Sequence, residues 1–293
     1  MVIKYYLRYY VHMLNYNSAS ALKTFLDQEG LGMQKRFGQN FLINPQIRKS
    51  LVDALGANCK DEVWEIGPGL GAMTALLLDK ELTVKAFEID LGFIRILKSF
   101  FSGYDNFSLI EGDVLKTWKS PARETALHKA PFLLGNLPYN IAAVLIADLI
   151  EKKQIFSRMV ITVQKETALR MSSPAGSKNY SSFSVLCASV YKVKPLMLIR
   201  RESFYPQPNV DSMGVLLEKK ETPYYPDIFY PLVRALFASR RKTIKNNLTV
   251  FLSSAELCTA VLKDNAIREN ERAENLEVEA FLSLANSINN MRL

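Results

Sequence analysis

The chain has very few of the side chains that most often carry acid–base or metal chemistry. Only 2 histidines and 3 cysteines occur among its 293 residues. Cys59, Cys187 and Cys258 are widely spaced, form no C-x-x-C pair and have no histidine at ligand spacing, so neither a zinc site nor a disulfide framework is indicated. His12 and His128 lie outside every motif described below. We therefore expect no bound metal, and the cysteine pattern fits a reducing cytoplasm.

Long uninterrupted apolar runs are also missing. None approaches the roughly 18 residues that a membrane-spanning helix needs. The apolar stretch within residues 1–16 is short and is broken by Lys, Arg, His and Asn, which argues against a signal peptide. We therefore expect a cytoplasmic protein without a membrane partner.

The most informative segment that is present is Asn136-Leu137-Pro138-Tyr139, which follows the apolar run 130–135. An Asn oxygen and a backbone carbonyl can each accept a hydrogen bond from a planar NH2 group, a proline stiffens the turn, and an aromatic ring stacks on a base. An ordinary turn is the alternative for such a tetrapeptide on its own. Together with the neighbouring segments, it predicts a site for an amino-bearing nucleobase.

A glycine-rich turn lies upstream. Residues 63–66 predict a short buried strand, and Gly67, Gly69 and Gly71 follow it in a turn that leads into a helix. The G-x-G-x-G spacing differs from the G-x-G-x-x-G of dinucleotide-binding sites. An acidic side chain at the entrance, Glu65, would repel a pyrophosphate and suit a cationic ligand.

Two further predicted strands end in carboxylates suited to a nucleoside. Residues 83–87 lead to Glu88, whose carboxylate can accept both hydroxyls of a ribose, and residues 107–110 lead to Asp113, which can accept from an adenine amine. In an open α/β sheet, ligands bind beyond the carboxyl ends of the strands. The strand ends are therefore expected to converge on one crevice.

Short β-rich runs alternate with helical patterns, which favours a parallel sheet covered by helices. Helices are predicted at 45–55 and 141–152, and a further strand at 159–163. Residues 221–226 carry two prolines and read as a linker. Beyond the linker, helices are predicted at 228–238, 244–252, 256–262 and 278–288. A small helical domain is therefore expected at the C-terminal end.

Positive charge exceeds negative charge, with a net charge of +8 and a pI of about 9.2. Such a balance suggests a polyanionic partner. Charge runs are often only solvated faces, but basic clusters that flank a base pocket favour contacts to RNA phosphates. The candidate RNA-binding residues are Lys35, Arg36, Arg200, Arg201, Arg240, Arg241 and Lys242.

The chain resembles the KsgA/Dim family of S-adenosylmethionine-dependent rRNA adenine N6-dimethyltransferases, which is related to the Erm methylases. The resemblance covers residues 34–276 and implies an α/β, Rossmann-like class I methyltransferase sheet with a small C-terminal helical domain. The matching motifs, in the family's order, are Gly38–Leu42, Glu65–Gly71, Glu88, Gly112-Asp113, Asn136–Tyr139, Gln164–Glu166, Phe204–Ser212 and Arg240–Thr243.

This resemblance implies three divisions of the chain. Residues 1–33 would be an N-terminal extension with a leader helix, residues 34–220 the methyltransferase domain, and residues 221–293 the helical C-terminal domain.

The resemblance also implies roles for individual residues. Leu42 would lie beside the methionine end of S-adenosylmethionine, Glu88 would bind the ribose hydroxyls, and Asp113 would accept from the cofactor's adenine amine. The full set implied for cofactor binding is Asn40, Leu42, Gly67, Gly69, Glu88, Asp113 and Asn136.

The implied catalytic set is Asn136, Leu137, Pro138, Tyr139 and Phe204. Asn136 and the Leu137 carbonyl would hold the target N6 amine, while Tyr139 and Phe204 would cover the two faces of the base. No strong general base is required, because the methylated ammonium is acidic enough to lose its proton to water or to a nearby acceptor.

The resemblance implies dimethylation of two adjacent adenosines in the 3′-terminal hairpin loop of 16S rRNA. The substrate would be the small ribosomal subunit or its precursor, and the enzyme a monomer that takes part in subunit biogenesis. Two alternatives remain: an Erm-type 23S rRNA methylase, and a non-catalytic RNA-binding assembly factor of the same fold. A nicotinamide dehydrogenase is disfavoured by the glycine spacing and the lack of a catalytic histidine.

Overall fold

The computed structural model describes residues 14–34, 38–119, 132–221 and 225–291. Within these ranges the chain forms two compact units. The first contains the described residues up to Asp148, then Gln154–Ala168 and Lys194–Glu218. The second contains Leu149–Lys153, Leu169–Val193 and the described residues from Lys219 onward. The helical unit thus includes two segments that precede residue 220, and the domain limits drawn from the sequence stay a prediction.

The chain alternates strands with helices over most of its length. In chain order the strands are β1 (Phe41–Leu42), β2 (Glu62–Ile66), β3 (Thr83–Glu88), β4 (Phe107–Glu111), β5 (Phe132–Asn136), β6 (Arg158–Gln164), β7 (Tyr191–Ile199), β8 (Phe204–Tyr205) and β9 (Ser212–Lys219). The helices are α1 (Ala19–Gln28), α2 (Pro45–Ala54), α3 (Ala72–Asp79), α4 (Leu91–Phe101), α5 (Val114–Thr117), α6 (Ala142–Glu151), α7 (Lys165–Met171), α8 (Ser182–Val190), α9 (Phe229–Phe237), α10 (Ile244–Leu252), α11 (Ala255–Asp264) and α12 (Val278–Met291).

The main sheet has 7 strands in the order β4-β3-β2-β5-β6-β9-β7. The strands from β4 to β6 pair in parallel, as the sequence predicts. The expectation of a wholly parallel sheet is wrong at β9, which pairs antiparallel to β6 with Ile161 opposite Val215. An antiparallel neighbour can follow without a crossover helix, so no helical pattern marks this strand.

The central strands are apolar because helices cover the parallel part of the sheet. On β2, Val63, Trp64 and Ile66 are all buried. The Trp64 ring contacts Phe87 at 4.9 Å and Phe156 at 5.3 Å between ring centroids. Such aromatic pairs contribute about 0.5–1.5 kcal/mol each beyond the area they bury. This packing fixes the strand that leads into the glycine turn.

The second unit has its own helical core. Phe229, Leu248, Val261 and Phe281, from α9, α10, α11 and α12 in turn, are fully buried. These helices agree with the predicted ranges to within a few residues. In the part of the chain that the structure describes, no helix is both long enough and apolar enough to cross a membrane.

Candidate active site

A crevice lies at the carboxyl ends of β2 to β5. Its lining includes the whole set of predicted cofactor residues, Asn40, Leu42, Gly67, Gly69, Glu88, Asp113 and Asn136. The structure therefore brings these residues together, as the convergence of parallel strand ends predicts. Their individual contacts with a ligand stay predictions.

The glycine turn leaves the backbone open to a ligand. Gly67 has φ +67°, and a Cβ added there would meet nothing within 4 Å. Gly69 has φ +59°, and a Cβ there would lie 3.0 Å from the Phe41 ring. Both backbone conformations favour glycine. Gly67 therefore offers free space beside the main chain, whereas Gly69 allows Phe41 to pack on the turn.

The Glu88 carboxylate is fixed at the floor of the crevice. It accepts hydrogen bonds from the backbone N–H groups of Gly69 at 3.1 Å and of Ile89 and Asp90 at 2.9 Å each. Burial raises the pKa of Glu88 to about 7, although these N–H groups oppose the shift. A ligand with two adjacent hydroxyls would find both carboxylate oxygens already oriented.

Glu65 does not lie at the entrance, and that interpretation of the sequence is wrong. Its side chain is fully buried, and Thr74 on α3 donates a hydrogen bond of 2.6 Å to one carboxylate oxygen. The other oxygen has no hydrogen-bond partner among the described residues. Burial raises the pKa of Glu65 to about 7. The carboxyl group supports α3 from beneath the glycine turn and does not meet the ligand there.

Asp113 and Asn136 sit at two other strand ends. Asp113 caps α5, accepting from the Leu115 backbone N–H at 3.0 Å. The Asn136 amide nitrogen donates to the Asn40 carbonyl at 2.7 Å. This bond orients the Asn136 side-chain oxygen as the remaining acceptor. The bond has a positional role, because it links the end of β5 to the segment before β1.

The turn after Asn136 is held by the neighbouring strands. Leu137 is buried, and its N–H donates to the Thr162 carbonyl at 3.1 Å. The Tyr139 hydroxyl and the Ser212 hydroxyl form a hydrogen bond of 2.7 Å, and burial raises the pKa of Tyr139. Pro138 lines the crevice itself. Residues 136–139 therefore form a rim of the crevice that hydrogen bonds to neighbouring segments hold in place.

Phe204 lies in the core beside this rim and has 3% of its surface exposed. It pairs with Leu42 in the antiparallel ladder of β1 and β8. The described lining of the crevice does not include Leu137, Tyr139 or Phe204. Phe204 is thus paired with Leu42, one of the predicted cofactor residues. Its contact with a base stays a prediction.

Three residues near the crevice carry no signal in the sequence motifs. Asp90 is 3% exposed and accepts from the side-chain amides of Gln34 at 3.1 Å and Gln39 at 3.0 Å, which anchors the segment before β1. Tyr16 and Arg48 line the crevice. Several of their hydrogen bonds reach partners more than 30 residues away in the sequence, so spacing patterns could not reveal their roles.

The predicted RNA-binding residues fall in several places. Lys35 and Arg36 lie outside the described residues. Arg200 and Arg201 are exposed in the first unit. In the second unit Arg240, Arg241 and Lys242 are exposed. Arg240 forms an ion pair with Glu274 at 3.0 Å, so Arg241 and Lys242 are the better candidates for phosphate contacts.

The residues present suit S-adenosylmethionine. The open face at Gly67 admits a ligand against the backbone, and the Glu88 and Asp113 carboxylates offer acceptors for ribose and adenine. Within the described ranges, no group of His, Cys, Asp and Glu side chains is arranged to hold a metal. The sheet and the crevice define a Rossmann-like methyltransferase.

Comparison with known proteins identifies the family within this class. The profile described as "Ribosomal RNA adenine dimethylase" matches residues 30–290. The chain belongs to the ribosomal RNA adenine dimethylase family, which confirms the resemblance drawn from the motifs. S-adenosylmethionine is the cofactor of this family.

Curated relatives carry the same assignment. The "Ribosomal RNA small subunit methyltransferase A" of Treponema denticola is 46% identical over 94% of this chain and 97% of its own length. The protein of that name from Borreliella burgdorferi is 41% identical over 94% and 96%.

Solved structures agree with the fold. A dimethyladenosine transferase from Plasmodium falciparum superposes with a TM-score of 0.71 and 29% identity, over 85% of this chain and 98% of that chain. The 23S rRNA methyltransferase ErmE shares the fold, with a TM-score of 0.63 and 20% identity over 85% and 99%.

Proposed function

We propose that this protein dimethylates the N6 amine of adenosine in small-subunit rRNA, with S-adenosylmethionine as methyl donor. The observation that carries the proposal is the hydrogen bond of 2.7 Å from the Asn136 amide to the Asn40 carbonyl. It leaves the Asn136 oxygen as the acceptor for an incoming amine, beside the crevice that contains the predicted cofactor residues.

The carboxylates of Glu88 and Asp113 indicate where the cofactor binds in the crevice. Glu88 binds the ribose hydroxyls, Asp113 accepts from the adenine amine, and the open side of Gly67 admits the cofactor against the main chain. When bound, S-adenosylmethionine supplies a methyl group on a positively charged sulfur. Leu42 and Asn40 lie beside its amino-acid end.

The protein's own contribution to catalysis is positioning. Adenine N6 is a poor nucleophile because its lone pair is delocalised into the ring. Acceptance of its two N–H bonds by the Asn136 oxygen and the Leu137 carbonyl favours a pyramidal nitrogen whose lone pair faces the methyl group. Holding reacting groups in line can supply about 7–11 kcal/mol of the barrier. The proton is then lost to water.

The target base lies between Tyr139 and Phe204. The Tyr139 ring is held in place by its bond to Ser212, and the Phe204 backbone is held by the ladder with Leu42. Stacking on an aromatic ring contributes about 1–3 kcal/mol per base. A base must be unpaired, or leave its helix, to enter such a site.

The substrate is the small ribosomal subunit or its precursor, at two adjacent adenosines in the 3′-terminal hairpin loop of 16S rRNA. The names of the curated relatives support the subunit, and the exposed Arg241 and Lys242 support phosphate contacts. The protein acts as a cytoplasmic monomer in subunit biogenesis. An Erm-type reaction on 23S rRNA would need the same base pocket, so the substrate must be tested directly.

The test uses labelled S-adenosylmethionine with under-methylated small subunits and, in parallel, with large subunits. The RNA is digested to nucleosides and the products are identified. Labelled N6,N6-dimethyladenosine from small subunits alone is the expected result. Label only in large subunits would support the Erm-type reaction. Cofactor binding without transfer to either particle would point to the wrong RNA or assembly state. Absence of both transfer and cofactor binding would favour the RNA-binding assembly factor.

A further inference from the structure

The segment that precedes the family match forms part of the crevice wall. We call residues 14–29 the leader; the match with the family begins at residue 30. Leu22 and Leu26 on α1 are buried in the main core. Tyr16 and Leu22 line the same crevice as the cofactor residues. The leader is thus built into the site.

Two side chains fasten the leader at this wall. The Tyr16 hydroxyl donates to the Leu70 carbonyl in the glycine turn at 2.9 Å. Arg48 on α2 donates to the carbonyls of Leu42 and Tyr16 and to the side-chain oxygen of Asn17. One guanidinium group therefore connects the leader to Leu42, the residue placed beside the amino-acid end of the cofactor.

The charge of Arg48 is not balanced by this arrangement. Arg48 is only 5% exposed, and its hydrogen-bond acceptors are all neutral oxygens. Among the residues that the structure describes, no carboxylate forms an ion pair with it. Burial lowers the pKa of Arg48, which reflects the cost of removing a cation from water. An anion that entered the crevice beside Arg48 would offset that cost.

We propose that Arg48, held by the leader, recognises the carboxylate of the amino-acid end of S-adenosylmethionine. The inference rests on the proposed function only for the identity of the cofactor. Arg48 lines the crevice and contacts the Leu42 carbonyl, and a guanidinium is the side chain best suited to bind a carboxylate. Tyr16 is a positioning residue in this arrangement, because its hydroxyl holds the leader against the glycine turn.

Two ligands that differ at the amino-acid end test the proposal. S-adenosylhomocysteine carries the carboxylate, and 5′-methylthioadenosine lacks the whole amino-acid moiety. Calorimetry with the full chain should show that Arg48→Gln lowers the affinity for S-adenosylhomocysteine by about tenfold or more. The affinity for 5′-methylthioadenosine should change by less than about twofold. Arg48→Lys retains the charge and should recover part of the affinity. Tyr16→Phe should lower the affinity for S-adenosylhomocysteine by about fivefold, because the hydrogen bond to the Leu70 carbonyl is lost.

Arg95→Gln is the matched control. Arg95 is exposed and contacts Glu29 at the end of the leader away from Tyr16, donating to its carbonyl at 3.0 Å, so Arg95→Gln removes an arginine contact to the leader and keeps the bonds of Tyr16 and Arg48 at the crevice. Unchanged affinities for both ligands are expected. The proposal would be overturned if Arg48→Gln lowered the affinity for both ligands equally. It would also be overturned if Arg48→Lys recovered none of the affinity for S-adenosylhomocysteine. Failure of the native chain to bind either ligand would instead overturn the cofactor assignment itself.

Discussion

Replacement of the buried Glu65 by glutamine should stabilise the protein at alkaline pH. One carboxylate oxygen of Glu65 accepts from Thr74, and the other has no partner in the described structure. Burial raises its pKa from 4.5 to about 7. The folded chain therefore keeps a proton that the unfolded chain has already lost. The stability from the neutral carboxyl is complete below about pH 4.5 and is lost as the pH rises through about 7.

The size of the effect follows from the pKa difference. A rise from 4.5 to about 7 corresponds to about 3 kcal/mol lost on ionisation of the folded chain. Glutamine stays neutral, and its oxygen can still accept from Thr74. Glu65→Gln should therefore gain up to about 3 kcal/mol over the native chain above pH 7, and the gain should shrink toward pH 5.

Urea unfolding followed by tryptophan fluorescence measures this difference. Both tryptophans, Trp64 and Trp118, lie in the first unit, so the signal reports the unit that contains Glu65. Glu88 is present in both proteins, but its charge also raises the pKa of Glu65, so part of the difference reflects the interaction between the two carboxylates. Asp79→Asn is the control in the same unit, because Asp79 is an exposed carboxylate at the end of α3. The reasoning would be refuted if the difference in unfolding free energy between Glu65→Gln and the native chain were the same above pH 7 as near pH 5.

The remaining predictions concern ligands. Glu88→Gln should weaken S-adenosylmethionine binding by about tenfold or more, because an acceptor of the ribose hydroxyls is lost; calorimetry that gave the native affinity would count against this role. Asn136→Ala should lower turnover by roughly 100-fold with a small change in cofactor affinity, and single-turnover methylation at the native rate would exclude it from the base site. Arg241→Gln and Lys242→Gln should each reduce the salt dependence of RNA binding by about one unit of slope. Arg268→Gln, an exposed change in the same unit, should leave that slope unchanged, and an equal effect there would show that only net charge matters.

Much of the crevice was predictable because strands and glycine turns have local signals. β2, β3 and β5 are short segments rich in strand-forming residues, and each ends in a residue that lines the crevice. The strands β7 and β9 were not predicted. β7 contains Lys192, Lys194 and Pro195 and is an edge strand, so its pattern resembles an exposed loop. The antiparallel pairing of β9 depends on contacts distant in sequence.

The direction of a buried side chain was also beyond sequence reasoning. β2 is covered on both faces, so no alternation of polar and apolar residues shows where Glu65 points. Its position beside the glycine turn suggested an entrance, whereas the structure places it against Thr74. Asp90 and Arg48 raise the same difficulty, because Asp90 depends on Gln39 and Arg48 on the leader, and both partners are distant in sequence.

The ladder of β1 and β8 connects the segment proposed to bind the methyl donor with the segment proposed to bind the acceptor base. Leu42, which we place on the donor side, stands opposite Phe204, which we place on the acceptor side, and Phe41 stands opposite Tyr205. In the proposed reaction the alignment of donor with acceptor is therefore set by backbone pairing, and it should be insensitive to moderate changes in these side chains. Insertion of one residue in either strand would instead turn every following side chain to the opposite face. In evolutionary terms, this junction should tolerate substitution but not a change in length.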